Sequence, residues 1–277
     1  MLNKDKVENL TEILDPKSLE EEVNCGIIAF ENGKYEQAYN HFYKVFKDKS
    51  CKKEVKAKAE FYLGEVLRSL YHDDAIKLME GNNEELANFK KTKPNASNHE
   101  LVGHVYKKYM CDAALAGDVD AMTEYGLNCI RLGSSGAYLY DSTDANKEAA
   151  AAWARLLIAK NQIKAKVAAY VIFAKYYLYQ STKLASTHNI ESFCENAIRA
   201  FNLNKLDPRA CYFMGIMCGD ERIKNTKYSD YYNINDSYRY FLNARDYNIQ
   251  GYRDSAVFEG APKYIALYEK SFPNIRR

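Results

Sequence analysis

Proline and glycine are scarce in this chain of 277 residues, which contains 5 Pro and 13 Gly. An all-β protein of this length needs many tight turns, and such turns draw heavily on these two residues. Hydrophobic residues make up 47% of the chain and charged residues 27%, close to the averages of globular proteins. The composition therefore excludes disorder over most of the length and favours a helical fold.

A surplus of one charge and a long apolar run are missing as well. The 39 Lys and Arg nearly balance the 37 Asp and Glu, which gives a net charge of +2. Such a chain has no overall field that would attract a nucleic acid or an anionic bilayer. The longest apolar run, 167–179, contains Lys175 and is shorter than the roughly 20 residues of a membrane-spanning helix. We therefore expect no transmembrane helix and no membrane partner.

Paired cysteine motifs are also absent. The seven cysteines include no Cys-x-x-Cys, so the sequence has neither a zinc ribbon nor a thioredoxin-like motif. On one helix, Cys211 and Cys218 would lie about 10 Å apart, beyond the roughly 7 Å that a disulfide bridges. The first residues are charged and do not resemble a secretory signal. We interpret all seven cysteines as buried thiols of a cytoplasmic protein.

One short pattern recurs along the chain: a small residue, an apolar residue four positions later, and then glycine. The glycine position is filled by Gly26, Gly64, Gly126 and Gly215, with Tyr170 in its place between the last two. Successive positions are 38, 62, 44 and 45 residues apart. Glycine lets two antiparallel helices approach closely because it has no side chain, and bulky residues one turn away fill the remaining space. We therefore predict a close helix crossing at each glycine.

A second helix is predicted in each repeat from a stripe of aromatic and alanine residues. Their spacings of three, four and seven place them on one helical face. The stripes are Tyr35, Ala38 and Phe42; Tyr106, Tyr109, Ala113 and Ala114; Ala150, Trp153 and Ala159; Phe193, Ala197 and Ala200; and Tyr238, Phe241 and Ala244. Polar segments such as 116–118 are typical of the turns between helices. The sequence therefore predicts a series of helical hairpins.

The first hairpin resembles a tetratricopeptide repeat. It carries that family's small, turn and aromatic residues at Gly26, Gly33, Tyr35, Ala38 and Phe42. The later hairpins resemble the related Sel-one-like repeats, most clearly at 113–126. The resemblance covers about residues 20–260 and implies an all-α fold, a right-handed α-solenoid of antiparallel helix pairs.

The domain organisation follows from this resemblance. We expect an N-terminal extension at 1–17, an array of about five to six helix pairs at 18–260, and a C-terminal cap or tail at 261–277. The second unit is about twenty residues too long, which indicates an insertion near 73–98. The polar, proline-containing stretch 90–98 supports this location. The insertion is either a partner contact or a solvated excursion, and we favour the excursion.

Function in such arrays usually lies on the concave face, which the first helix of each pair lines. The family's register places seven candidate partner-binding residues there: Phe30, Phe61, Glu65, Arg68, Arg131, Lys175 and Tyr212. The lysines and asparagines of the family's best-known peptide clamp are missing. A mixed apolar and basic groove suits an amphipathic helix or an acidic-hydrophobic segment.

We therefore expect a non-enzymatic scaffold or adaptor that binds a protein or peptide and needs no metal, nucleotide or redox cofactor. A nucleic-acid-binding helical-repeat protein is the alternative, and it would require a basic stripe after folding. A third hypothesis is a metallohydrolase centred on His99 and His104. These histidines are five apart, whereas two zinc ligands on one helical face are four apart, so we interpret them as part of a capped helix start.

Tyrosine is the most unusual feature of the composition, with 24 residues in the chain and seven of them within 228–252. Tyrosine offers a large rigid contact area with a polar tip, which suits a peptide-binding groove. Alternatively, the rings fill the ridges between helices and extend their hydroxyl groups towards solvent. We favour the second interpretation.

Overall fold

The computed structural model describes residues 18–130, 144–183, 186–251 and 255–275. Within these ranges the chain forms 13 α-helices and two short 3-10 helices, and it contains no β-strand. The predicted all-α fold is therefore confirmed for the described residues. The chain divides into an N-terminal unit that ends at Met122 and a C-terminal unit that begins at Thr123. The predicted extension at 1–17 lies outside the described residues.

Helical hairpins build the N-terminal unit. Its helices are α1 (Leu19–Glu31), α2 (Tyr35–Lys47), α3 (Lys53–Ser69), α4 (His72–Met79), α5 (Glu84–Thr92) and α6 (Asn98–Ala116), and the boundary between the units falls within α7 (Val119–Asn128). Helix α1 packs on α2, α3 packs on α6, and α2 also packs on α3. The two short helices α4 and α5 both pack on α6.

The predicted insertion at 73–98 contains α5 and almost all of α4. Three of its apolar side chains, Ile76, Met79 and Leu86, are buried in the core that α1, α2, α3 and α6 share. Our interpretation of this segment as a solvated excursion is therefore wrong. Its helices are short, but their apolar side chains complete the core of the N-terminal unit.

The C-terminal unit continues with further antiparallel helices. They are α8 (Asp144–Ala159), α9 (Ile163–Lys183), α10 (Thr187–Leu203), α11 (Pro208–Gly219), α12 (Ile234–Gly251) and α13 (Ser255–Ser271), with 3-10 helices at Glu221–Asn225 and Ser229–Tyr231. Helix α9 packs on both α8 and α10, and α12 packs on both α11 and α13. Helix α13 also contacts α11.

Polar side chains define where several helices begin. Ser97 and Glu100 form a capping box at the start of α6, in which each side chain accepts a hydrogen bond from the other residue's backbone N–H. The Asp207 side chain accepts hydrogen bonds from two backbone N–H groups in the first turn of α11. Helix α6 ends at Gly117, whose φ of 98° lies in the left-handed region that glycine adopts without strain.

All four glycines of the repeat pattern lie at close helix contacts. An added Cβ atom would lie 2.6–2.9 Å from a side chain of another helix: Gly26 faces Phe42, Gly64 faces Met110, Gly126 faces Ile172 and Gly215 faces Phe241. No side chain larger than hydrogen fits at such distances unless a neighbour shifts. The prediction that the glycines mark close crossings is therefore confirmed.

The predicted aromatic stripes supply much of the core. Phe42, Phe193 and Phe241 are fully buried, and Phe241 stacks on Tyr264 of α13 with ring centres 4.5 Å apart. The other alanines of the stripes are buried, whereas Ala159 is exposed, so the prediction is wrong for that residue. The buried members of each stripe face a neighbouring helix, as their spacing predicts.

Candidate functional site

Two of the predicted partner-binding residues, Phe30 and Phe61, are buried in the N-terminal unit. Both rings contact Tyr62 edge-on, with centroid distances of 5.9 Å for Phe30 and 5.2 Å for Phe61. Tyr62 in turn stacks on Phe42 of α2 at 5.1 Å. Phe30 and Phe42 therefore link the first hairpin to α3, and Phe61 packs beside Tyr62 on α3 itself.

Glu65 and Arg68 form an ion pair along α3. The Arg68 guanidinium lies 2.5 Å from the Glu65 carboxylate, and the glutamate side chain is buried while the arginine is half-buried. An ion pair with one buried partner orients both side chains and costs desolvation if either is removed. Arg68 remains partly accessible, and of the four predicted site residues in this unit it is the one best placed to meet a partner.

Lys175, another predicted partner-binding residue, links two helices of the C-terminal unit. Its Nζ atom donates a hydrogen bond of 2.8 Å to the backbone carbonyl of Leu127, near the C-terminal end of α7. Carbonyl groups in the last turn of a helix have no partner within the helix, and a positive charge there is favourable. Lys175 therefore caps α7 from α9.

Tyr212 is half-buried and packs against the C-terminal helix α13. Its ring lies 5.7 Å from Phe241 and 6.2 Å from Tyr264 of α13, and a Cβ atom added at Gly260 would lie 2.5 Å from its hydroxyl oxygen. Tyr212 is therefore a packing residue between α11, α12 and α13. The remaining predicted residue, Arg131, lies outside the described residues.

The histidines of the alternative metal site have separate neighbours. His104 stacks on Phe89 with ring centres 3.9 Å apart, and its Nε2 lies 2.8 Å from Glu85. His99 instead contacts His72 edge-on at 4.9 Å. Among the residues that the structure describes, no group of three or more His, Cys, Asp or Glu could hold a metal ion.

All seven cysteines are free thiols. Cys129, Cys194, Cys211 and Cys218 are buried, and the prediction of buried thiols is correct for these four. It is wrong for the others, which are half-buried: Cys25, Cys51 and Cys111. Burial raises the pKa of Cys194, Cys211 and Cys218 to about 12, which keeps these thiols protonated.

The tyrosine-rich segment 228–252 mainly serves packing where it is described. Tyr238 is buried, and its hydroxyl donates a hydrogen bond of 2.8 Å to Glu269 of α13. Tyr240 packs edge-on against Phe201 of α10 at 5.2 Å. These contacts support the interpretation that the tyrosines fill the ridges between helices.

Exposed apolar side chains concentrate at one end of the C-terminal unit. Ten large apolar residues are exposed in the described part of the chain, and four of them flank the α8–α9 and α10–α11 turns. These four are Leu156, Ile163, Leu203 and Leu206, with 39–65% of their surface exposed. Scattered single apolar residues are normal on protein surfaces, whereas a cluster at one place indicates an interaction site.

Two contacts show that the α8–α9 and α10–α11 turns share one end of the unit. The Arg199 guanidinium of α10 lies 5.7 Å from the centre of the Tyr170 ring of α9. Tyr176 of α9 donates a hydrogen bond of 3.2 Å to Glu148 of α8. Helix α9 is therefore antiparallel to both neighbours, so the end of α8, the start of α9 and the end of α10 lie together.

Positive charge accompanies these apolar side chains. Arg155, Lys164 and Lys205 are exposed beside the two turns, and Lys160 is half-buried there. The carboxylate of the α10–α11 turn, Asp207, is buried and accepts hydrogen bonds from backbone N–H groups at the start of α11. We name Arg155, Leu156, Lys160, Ile163, Lys164, Leu203, Lys205 and Leu206 the basic–apolar edge.

Part of this edge has a signal in the sequence that our prediction missed. Residues 149–190 contain six Lys or Arg and no Asp or Glu, although the whole chain is nearly neutral. Net charge averages this local excess away. The exposure of the four apolar side chains has no such signal, because leucine and isoleucine are usually buried in helical proteins.

No protein-family model matches the chain, and no curated protein matches it. The helices that are described include none with enough length and apolar character to cross a membrane.

Proposed function

We propose that this chain is a non-enzymatic scaffold or adaptor that binds a protein or peptide segment on a preformed helical surface. In this proposal the hairpins belong to a right-handed α-solenoid of the tetratricopeptide-like or Sel-one-like kind. Close crossings at Gly26, Gly64, Gly126 and Gly215 support it, because such arrays pack each hairpin through small residues. Seven free thiols are consistent with a cytoplasmic location.

The observation that carries the proposal is the basic–apolar edge. Four large apolar side chains are exposed to water at one end of the unit. This exposure is unfavourable in free energy, in proportion to the apolar area in contact with water. A binding partner that covers them recovers that free energy, and the surrounding cations orient the partner. The supporting helices are fixed by their own cores, so little ordering entropy is lost on binding.

The edge replaces most of the predicted groove as the proposed contact surface. Phe30, Phe61 and Glu65 are buried, so a partner does not reach them without unfolding a hairpin. Tyr212 is half-buried and packs against Phe241 and Tyr264. Arg68 stays in the proposal as a partly accessible residue.

The test is an affinity capture from native extract with three forms of the full chain. The parent is compared with a Leu203→Ser/Leu206→Ser variant of the edge and with an Ile28→Ser/Leu267→Ser control, which replaces two exposed apolar residues elsewhere. We expect at least one protein to be captured by the parent and the control and to be reduced about fivefold or more by the edge variant. Equal capture by all three forms would contradict the proposal.

One observation favours nucleic-acid binding as a second candidate, namely the excess of cations and the lack of carboxylates in 149–190. A phosphate-binding surface would lose affinity steeply with rising salt, because each neutralised phosphate releases counterions. Titration of labelled RNA and DNA at several ionic strengths tests it. The absence of saturable binding at low salt would exclude it.

A further inference from the structure

We infer that the basic–apolar edge accepts an amphipathic helical segment of another protein whose apolar stripe is flanked by acidic residues. This inference rests on the proposed function and goes beyond it by specifying the chemistry of the partner. Three features support it: the sign of the charge at the edge, the spacing of its apolar residues, and the lack of aromatic side chains among its members.

All four charged residues that belong to the edge are cations. Arg155, Lys164 and Lys205 are exposed, and Lys160 is half-buried. Asp207, the carboxylate closest to these cations in the α10–α11 turn, is buried and accepts hydrogen bonds from the first turn of α11. A partner with acidic residues therefore matches this surface, whereas a basic partner is repelled by it.

The apolar residues of the edge are spaced like the anchors of a bound helix. Ile163 starts α9 and Leu203 ends α10, and the axes of two packed helices are about 8–10 Å apart. Residues i and i+7 of an α-helix lie on one face and are about 10.5 Å apart along its axis. One helix of a partner can therefore place two anchor side chains, one against each turn.

The composition of the edge argues against the two other ligands that a basic surface attracts. Proteins that bind single-stranded nucleic acids stack bases on aromatic rings, and the eight edge residues include none. Anchors at a membrane interface are also enriched in tryptophan and tyrosine. An acidic amphipathic helix needs neither, since leucine and isoleucine anchors with cationic neighbours suffice.

The experiment measures binding of a defined probe to the full chain by fluorescence anisotropy. The probe is a labelled synthetic helix of about 18 residues, or five turns, with leucines on one face and glutamates on its flanks. A second peptide of the same length carries lysine in place of every glutamate. Vesicles containing phosphatidylserine and a single-stranded RNA oligonucleotide are titrated in parallel.

Two charge-reversal variants make the test specific to the edge. Arg155→Glu/Lys205→Glu reverses two exposed cations of the edge. Lys183→Glu/Lys227→Glu reverses two exposed cations at the other end of the unit: Lys183 lies about 30 Å along α9 from Ile163, given a rise of 1.5 Å per residue. Circular dichroism establishes that both variants keep the helical content of the parent.

The expected result is saturable binding of the acidic peptide to the parent and to Lys183→Glu/Lys227→Glu, with binding weakened about tenfold or more in Arg155→Glu/Lys205→Glu. The affinity should also fall as salt is raised. The inference is overturned if the acidic peptide does not bind, if it binds both variants equally, or if the lysine peptide, the vesicles or the RNA bind the edge more tightly.

Failure of this inference is distinguishable from failure of the proposed function. If the capture of extract proteins depends on Leu203 and Leu206 but the acidic peptide binds the parent and Arg155→Glu/Lys205→Glu equally well, the scaffold function stands and the partner is of another chemistry. If no protein depends on these leucines, the proposed function itself fails, whatever the peptide does.

Discussion

The guanidinium of Arg199 lies 5.7 Å from the centre of the Tyr170 ring, across the α9–α10 hairpin. Tyr170 stands where the other repeats have glycine, and its ring makes a cation–π contact with the neighbouring helix α10. Arg199 is also held by Glu195 of its own helix at 2.6 Å. The contact is consistent with antiparallel packing of α9 and α10, which brings Ile163 and Leu203 to the same end of the C-terminal unit.

The glycine crossings predict different sensitivities to a single added methyl group. We expect Gly26→Ala to destabilise the chain by about 1–3 kcal/mol, because the new Cβ would lie 2.6 Å from the rigid ring of Phe42. Gly64→Ala should lower the free energy of unfolding by less, since the nearest neighbour of the new Cβ is the flexible thioether of Met110 and alanine favours the helix. Urea unfolding followed by circular dichroism measures both. A Gly26→Ala variant as stable as Gly64→Ala would contradict this account.

Asn83 predicts a second stability effect, at the segment 73–98. Its side chain donates to the hydroxyl groups of Tyr39 and Tyr109, and its Oδ1 accepts from the backbone N–H of Leu86 at 3.0 Å. Asn83→Ala should lower the free energy of unfolding by about 2 kcal/mol, because it removes a helix cap and leaves two buried hydroxyl groups without this hydrogen-bond partner. The exposed Asn82→Ala is the matched control. Equal unfolding midpoints for the two variants would refute the role of Asn83.

Glu60 predicts a pH dependence of stability. Burial, reinforced by Asp112 of α6, raises the pKa of this carboxyl from 4.5 to about 7, against the opposing effect of Lys56 and Lys108. At a pH between these two pKa values, Glu60 is protonated more often in the native chain than in the unfolded chain. The free energy of unfolding therefore falls as pH rises from about 4.5 to about 7.

Glu60→Gln removes this dependence. The variant should match the parent near pH 4 and exceed it in free energy of unfolding by about 1–3 kcal/mol above pH 7. Urea unfolding across this pH range measures the difference, with the exposed Glu54→Gln of the same helix as control. A constant difference at all pH values would show that Glu60 does not titrate in this window.

The cysteines predict a graded thiol reactivity. At pH 8 we expect the disulfide reagent DTNB to label no more than the three half-buried thiols of the native chain, Cys25, Cys51 and Cys111, and all seven after unfolding. Burial raises the pKa of Cys129 to about 11, so its thiolate is scarce as well as shielded. Rapid labelling of more than three thiols in the folded chain would contradict the described burial.

Local patterns in the sequence were sufficient to predict the hairpins and their crossings. The glycines and the aromatic stripes follow helical spacing, and each side of a crossing is encoded within one helix. The contacts of the predicted groove residues could not be read from the sequence, because they involve distant parts of the chain. Tyr212 packs against Tyr264 of α13, and Lys175 donates a hydrogen bond to the carbonyl of Leu127, 48 positions earlier.

The sequence by itself determined the helices, their apolar faces and the positions where two backbones meet, because these depend on side-chain size and on a period of 3.6 residues. Only the tertiary structure decided which surfaces remain open. Whether Phe61 lies in a core or Leu206 meets solvent depends on which helices arrive beside it, and that is a property of the whole packed unit. The candidate edge belongs to this second class, since it exists only where the ends of α8 and α10 meet the start of α9.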